Sequence, residues 1–329
     1  MIESTNKPIL IVSSSSDEHA YGPVANILEH KQHPVIIYKT DKVLSGDERF
    51  LAKVKNTGEF EMNYEEFQLS DNTIGSAWYR KPANFKIQSI DNDLSKQLYM
   101  NNEIRAVHDM VWSMLPDDLW LNSPNSIKEA EKKLGQLVIA HETGFNIPET
   151  ILSNDWQVID KEILSHSEFA IVKMLRGVIS ENNILKGMYT TLLNKDKVRE
   201  LESYVVPFPG LYQKFIEKHR EWRVTVIDED IFSTAIYTKG DATVDWREYQ
   251  LSPDVEFRAE KLSDNISELC LRYLASFGLK YGAFDLIESF DGATYFLECN
   301  PNGEYGWLES ELGFPISQSI AKTLIKLVQ

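Results

Sequence analysis

The sequence is short of cysteine, of basic residues and of long apolar runs, and each shortage removes a class of protein. Two cysteines, Cys270 and Cys299, among 329 residues cannot build a disulfide framework, and they lack Cys-x-x-Cys spacing. Both read as buried structural thiols. Lys and Arg number 34 against 50 Asp and Glu, a net charge of −16. Such a chain has no sequence-independent attraction to nucleic acid or to an anionic membrane. The deficit is spread, −6 over residues 1–120 and −10 over the rest. Any anion-binding site must therefore be a local basic cluster inside a repelling field. No stretch approaches the roughly 18 apolar residues of a membrane span. Ile9–Val12 is too short for the apolar region of a signal peptide, so a soluble, cytoplasmic protein is expected. Neither G-x-G-x-x-G nor G-x-x-x-x-G-K-[ST] occurs, which removes the dinucleotide fingerprint and the P-loop.

What is present is a foldable α/β chain. Hydrophobic residues make up 43% and charged residues 26%, enough for a buried core. The length suggests about two domains, or three small ones sharing a core. Pro8–Val12 reads as a strand, a helical stripe follows at Ala20, Val24, Ile27 and Leu28, and Val35–Tyr38 is the next strand. That order predicts a βαβ unit with a parallel sheet. Ile74–Arg80 reads as a further strand and Ser95–Met114 as a long amphipathic helix. Ser126 and Glu129 have capping-box spacing for one helix with Ile127, Ala130, Leu134, Leu137 and Val138 on its apolar face. Gly144 should end it.

Further along, Ala170–Leu175 and Leu211–Ile216 are strands and Arg176–Lys186 is a polar loop. Lys195–Tyr204 is helical, and Trp222–Ile227 with Ile231–Thr238 forms a hairpin. Ile266–Phe277 is a helix before a last hairpin, Tyr281–Glu288 with Thr294–Asn300. A domain boundary is placed near Pro116–Pro124.

The last hairpin carries the most chemistry. A two-residue turn at Asp291-Gly292 places residues whose numbers sum to 583 opposite one another, and Asp285 and Glu298 do so. Opposed side chains stand about 4.5–5.5 Å apart at Cβ, where like charges repel. With Asn300 on the same face, the trio offers hard oxygen ligands suited to Mg²⁺ or Mn²⁺; solvated residues on an edge hairpin would look the same. Phe284, Leu286, Leu297 and Cys299 should form the opposite, buried face. Lys173, inside an apolar strand, needs an anionic partner or a route to water. Lys133 on a helix, and Arg223 and Arg247 beside tryptophans, read by default as solvated or ion-paired.

Taken in order, these pieces resemble the ATP-grasp superfamily. The matching stretches are Ala170–Leu175, Leu211–Glu217 with Arg223, and Tyr281–Asp285 through Phe296–Gly303. Trp78-Tyr79-Arg80-Lys81-Pro82, Asn122-x-Pro124 and Gly303–Glu309 are similar to the microviridin-type peptide macrocyclases, the graspetide synthetases. The resemblance implies an ATP-grasp fold of mixed α/β class. Its parts would be an N-terminal pre-ATP-grasp domain (1–118), a central domain (119–205) and a C-terminal domain carrying the metal hairpin (206–329).

It further implies that Lys133 and Lys173 contact ATP phosphates and that the strand Gln213, Lys214, Phe215 and Ile216 holds the adenine. Asp285, Glu298 and Asn300 would bind Mg²⁺, and Arg223 would stabilise the transferred phosphoryl group. Arg80 and Arg247 would grip substrate, and Arg176–Lys186 would cover the phosphates, although this chain has only Gly177 there. The implied reaction joins a peptide's Asp or Glu side chain, through an acyl phosphate, to a Thr or Ser hydroxyl or a Lys amine. Its partner would be a precursor peptide with a leader and an acidic core, and a homodimer is implied. A ligase for a free small substrate, of glutathione-synthetase or glutamate-ligase type, is the nearest alternative. A non-catalytic nucleotide-binding regulator is the other.

Overall fold

The computed structural model describes residues 7–82, 94–173, 178–181, 184–187, 190–197, 209–240, 244–249 and 252–328. It opens with the expected βαβ unit: β1 (Ile9–Ser13), α1 (Glu18–His30) and β2 (Val35–Lys39). After a short α2 (Thr40–Ser45) come three strands that sequence reading passed over, β3 (Phe50–Val54), β4 (Phe60–Tyr64) and β5 (Phe67–Gln68), paired as an antiparallel sheet. β6 (Ser76–Tyr79) then joins β1 in parallel, giving the order β2-β1-β6.

Both faces of β1 are buried, so its side chains feed two cores. Leu10 and Val12 pack with Trp112 and Trp120, whereas Ile9 and Ile11 pack with residues from the far end of the chain. Trp112 lies on α3 (Leu94–Trp112) and its Nε1 donates to His108 Nδ1 at 3.1 Å. Burial pushes that imidazole pKa down to about 4, so the ring is held neutral. No described helix is long and apolar enough to cross a membrane.

The next helix is broken in two. Ser123 caps α4 (Pro124–Ala130) by accepting from Ser126 N–H, three residues earlier than the expected cap, and α5 (Lys133–Thr143) starts afresh after an extended Lys132. Gln136 stabilises the break by donating to the carbonyl of Ala130 at 2.6 Å. The interruption resets the helical phase, so Leu137 and Ala140 are buried while Leu134 and Val138 are 43% and 56% exposed. Gly144 ends α5 at φ 111°, as its position suggested.

β7 (Thr150–Ser153) and α6 (Trp156–Ile159) lead to β8 (Ala170–Lys173). The expected loop over 176–186 instead contains β9 (Val178–Glu181) paired antiparallel with β10 (Ile184–Gly187). Four β-branched or leucine residues, Val178, Ile179, Ile184 and Leu185, favour pairing over open loop. Met174–Gly177 and residues 182–183 of these stretches, and 198–204 of the expected helix, lie outside the described residues. β11 (Thr191–Leu193) and β12 (Gly210–Lys214) complete an antiparallel sheet ordered β11-β8-β12-β7.

The expected division at 205/206 therefore cuts a sheet, because β12 lies between β8 and β7. Ala130, Leu137 and Ala140 of α4 and α5 pack in the core of the C-terminal sheet.

That C-terminal sheet is antiparallel, ordered β15-β14-β13-β16-β17. Its strands are β13 (Lys218–Ile227), β14 (Asp230–Thr238), β15 (Val255–Ala259), β16 (Tyr281–Ser289) and β17 (Thr294–Asn300), with α7 (Asp264–Ser276) between β15 and β16. Trp222, Val224 and Val226 of β13 face α5 and α7 in one core, and Cys270 and Cys299 are buried there. Ile227 and Tyr281 instead join Ile9, Trp78 and the closing helices α8 (Gly306–Leu312) and α9 (Ile316–Leu327). The remaining face of the sheet, between these two cores, carries the polar groups.

Candidate functional site

One polar row crosses three strands. The register sets Arg223 of β13 opposite Asp285 of β16, and Asp285 opposite Glu298 of β17. Arg223 Nη1 donates to Asp285 Oδ1 at 2.8 Å, and its Nη2 donates to the backbone carbonyl of Glu304 at 3.0 Å. Lys133, the first residue of α5, donates to Glu298 Oε2 at 2.9 Å. Arg247, on the short turn Trp246–Tyr249, places Nη2 against Asp285 Oδ2 and, at 3.2 Å, against Glu298 Oε1. Without these cations, two acids set side by side would repel strongly.

The charges tune one another. Burial disfavours the ionised form of Glu298, but Lys133, Lys173 and Arg247 outweigh it and hold the carboxyl well below the usual range. Burial pulls the Lys173 ammonium below the ordinary lysine value; Glu298 opposes that shift and Lys133 adds to it. Lys173 ends β8, so these couplings bring the central sheet into the field of the row. Asp285, followed by Glu298, keeps the Arg247 guanidinium firmly charged against its burial.

Of the sequence-derived candidates, Arg223, Asp285, Glu298, Lys133, Arg247 and Lys173 gather here. Asn300 pairs with Ala283, one step along the same face, and its Oδ1 accepts the Asn302 N–H at 2.9 Å. Gln213 is buried in β12, where its Nε2 donates to Thr150 Oγ1 at 2.9 Å while Oε1 has no partner among the described residues. Lys214 N–H donates to the Glu149 carbonyl and Phe215 N–H to that of Phe169, so two of the four amides assigned to adenine are already engaged; Phe215 and Ile216 lie beyond the strand.

Arg80 lies apart. It is 1% exposed, and its Nε donates to Asp17, Nη1 to the carbonyls of Asn302 and Gly303, and Nη2 to Glu304. Lys81 also binds Glu304. The expectation that Arg80 grips a substrate finds every one of its nitrogens already held by the chain. Its effect here is to fix the loop whose carbonyl at Glu304 receives Arg223.

Two acids went unnoticed in the sequence. Glu221 shares the face of Arg223, is buried, accepts from Lys218, and has its pKa raised by that burial. The alternation Glu221-Trp222-Arg223 inside a strand was the available signal. Asp245 accepts from Arg247 N–H and from Thr190 N–H, both at 3.1 Å, and so tethers the turn that carries Arg247. No sequence signal marks it, because the contact with Thr190 is tertiary.

These residues fit a divalent cation and a nucleotide. Asp285 and Glu298 present carboxylate oxygens side by side, the donor set of Mg²⁺ or Mn²⁺. The partnerless Oε1 of Gln213 is an acceptor of the kind an exocyclic adenine amine satisfies. Lys133 and Lys173 supply cations between the two sheets.

No family model and no curated protein sequence matches the chain. Solved structures do. A RiPP-associated ATP-grasp ligase of Chryseobacterium gregarium, in complex with ADP and a leader and core peptide, is 27% identical, with a TM-score of 0.84 and coverage of 97% of each chain. This fold is that of the ATP-grasp ligases. The macrocyclase MdnC of Microcystis aeruginosa MRC, bound with its precursor peptide MdnA, is 24% identical with a TM-score of 0.80, over 97% of this chain and 99% of that one. The ATP-grasp ligase PsnB, complexed with a minimal precursor variant, Mg and ADP, is 18% identical with a TM-score of 0.77, over 98% and 99%. The likeness to microviridin-type enzymes and the expectation of an ATP-dependent ligase are both borne out.

Proposed function

We propose that this ATP-dependent ligase activates side-chain carboxylates of a ribosomal precursor peptide and closes them onto hydroxyl or amine groups of the same peptide. The observation that carries the reading is the row Arg223–Asp285–Glu298, flanked by Lys133, Lys173 and Arg247, on a chain that resembles a RiPP-associated ligase over 97% of its length.

The substrate carboxylate attacks the γ-phosphate of ATP, giving an acyl phosphate and ADP. A Thr or Ser hydroxyl, or a Lys amine, then attacks the acyl carbon; phosphate leaves and the nucleophile gives up its proton. Asp285, Glu298 and Asn300 would hold Mg²⁺, which neutralises phosphate charge in such reactions. Lys133 and Lys173 bind phosphate oxygens, and the segment 213–216, the end of β12 and the two residues after it, bears the adenine. Arg223, held at both terminal nitrogens, offers a preorganised positive charge where negative charge develops on the transferred phosphoryl group. Arg247 receives the substrate carboxylate. Arg80 positions the 302–304 loop. Nothing in this sequence of steps requires a covalent enzyme intermediate; catalysis is positioning and charge neutralisation.

ATP and an acidic core peptide are both anions, so the net charge of −16 does not recruit them. A leader segment docked through apolar contacts supplies that affinity. The test is incubation of the protein with ATP, Mg²⁺ and a leader-bearing peptide rich in Thr and Glu. Loss of one water mass per ring is expected. Gain of an amino acid's mass would instead mark a small-substrate ligase, and nucleotide binding with no turnover would mark a regulator. An unchanged rate after removal of the leader would overturn the docking role.

A further inference from the structure

Every carboxylate oxygen of Asp285 and Glu298 already carries a cationic nitrogen of the chain. Arg223 Nη1 takes Asp285 Oδ1, Lys133 Nζ takes Glu298 Oε2, and the single Nη2 of Arg247 spans Asp285 Oδ2 and Glu298 Oε1. That nitrogen reaches both of the acids that would hold a divalent cation. A cation drawn to oxygens of both would compete with this guanidinium for them.

The three differ in how firmly they are held. Arg223 is buried in the middle strand of the sheet, with its second nitrogen on the Glu304 carbonyl. Lys133 begins a helix and touches only the outer oxygen of Glu298. The Arg247 side chain is 41% exposed and extends from a single turn. The backbone of that turn is held independently: Asp245 accepts the Arg247 N–H, and Trp246 packs edge-on to Phe257 at 5.4 Å and against Trp307 at 5.7 Å. The side chain of Arg247 can therefore leave the acids while its main chain stays anchored.

We propose that Arg247 is a displaceable internal cation: it bridges Asp285 and Glu298 before the metal arrives, the metal evicts it, and the freed guanidinium then becomes the receptor for the substrate carboxylate. The consequence is an order of events. One terminal nitrogen of the fork that pairs with a carboxylate is held by the two acids until the metal arrives, so the acidic peptide finds the whole receptor only afterwards. This inference rests on the assignment of Asp285 and Glu298 as metal ligands, and its test separates the two.

Mn²⁺ alone is titrated, without nucleotide, into the wild-type protein, Arg247→Gln and Glu298→Gln, with free Mn²⁺ read by electron paramagnetic resonance. Removing the internal competitor should tighten Mn²⁺ binding by about tenfold in Arg247→Gln, a coupling of ordinary size, and Glu298→Gln should bind more weakly than wild type. Equal or weaker binding by Arg247→Gln, with Glu298→Gln weaker still, overturns the latch and leaves the metal site standing. Wild-type affinity in Glu298→Gln overturns the metal site itself. If Arg247→Gln does not fold, Arg247→Lys, which cannot span both acids with one planar group, should show a smaller gain of the same sign. In a second arm, a fluorescein-labelled Thr/Glu peptide should bind wild type about tenfold tighter with Mg²⁺ and ADP than without, and Arg247→Gln should show no such gain. An equal gain in both proteins removes Arg247 as the carboxylate receptor.

Discussion

Gly303 and Ala283 approach so closely that a Cβ on the glycine would stand 2.3 Å from that of the alanine and 2.9 Å from Nη2 of Arg223. The loop after the metal hairpin is thereby pressed onto the sheet, with its carbonyls turned to Arg80 and Tyr281. Gly303→Ala cannot be absorbed by a flexible neighbour, because Ala283 is fixed in β16. It should cost about 1–3 kcal/mol of stability, as overpacking does, and push Arg223 off its row. Denaturant unfolding checks the first effect. ADP formation with a peptide substrate checks the second, and should fall more steeply than the folded fraction.

Glu298→Gln changes almost no volume but removes the charge that Lys133, Lys173 and Arg247 surround. The fold should persist, with an unchanged circular dichroism spectrum. Turnover should drop by at least about a hundredfold, the scale seen when one electrostatic partner of a transition state is removed. Full activity in this variant would exclude the assignment.

Arg80 joins Asp17 of the first segment to the 302–304 loop through buried contacts. Arg80→Met removes the cation paired with buried Asp17 and one donor from each of the Asn302 and Gly303 carbonyls, and should lower stability by about 3–5 kcal/mol, the cost of breaking a buried pair from one side. Pairing it with Asp17→Asn should give a double variant less damaged than the sum of the singles. Additive losses would show that the two residues act independently.

His108 makes stability depend on pH in a defined window. Its folded pKa, about 4, lies below the ordinary 6.5. The neutral ring in the core therefore contributes stability that is fully present above 6.5 and is lost as pH falls from 6.5 towards 4, up to roughly 3 kcal/mol. Thermal unfolding at pH 7 and pH 5 should separate wild type from His108→Gln, with the variant showing the smaller difference between the two pH values.

The pairing of Asp285 with Glu298 was legible in the sequence, but through two departures that cancel. The turn is longer than Asp291-Gly292 alone: Ser289 N–H donates to the Ala293 carbonyl, Gly292 adopts φ 83°, and Glu288 faces Thr294. A bulge between Asp285 and Leu286 then restores the expected partner. The bulge also turns Phe296, rather than Leu297, into the buried face beside Phe284, Leu286 and Cys299. Periodicity showed the βαβ unit and the last hairpin because their apolar residues repeat locally. It missed β3, where Leu51 and Val54 are exposed, and left unread the alternation Phe60-Glu61-Met62-Asn63-Tyr64 of β4, whose Met62 and Tyr64 are buried. The break between α4 and α5 was also hidden, since it depends on Gln136 reaching both Ala130 and the backbone of Cys299. Arg247 could be proposed from its residue type alone; that it bridges both acids is visible only once the sheet is assembled.

Asn122 accepts from the N–H groups of Lys280 and Tyr281 and donates to the carbonyls of Tyr281 and Pro301, partners 158 to 179 residues away. The side of the first sheet bearing Ile9 and Ile11 is likewise sealed by Ile316, Ile320 and Leu324. During synthesis, then, the N-terminal segment emerges long before anything can cover that apolar face. Contacts so distant in sequence form slowly, and the uncovered surface is prone to aggregate in the interval. The helix Ile316–Leu327 closes the first sheet, so a chain cut before it loses more than that helix: it leaves the nascent N-terminal half unfinished.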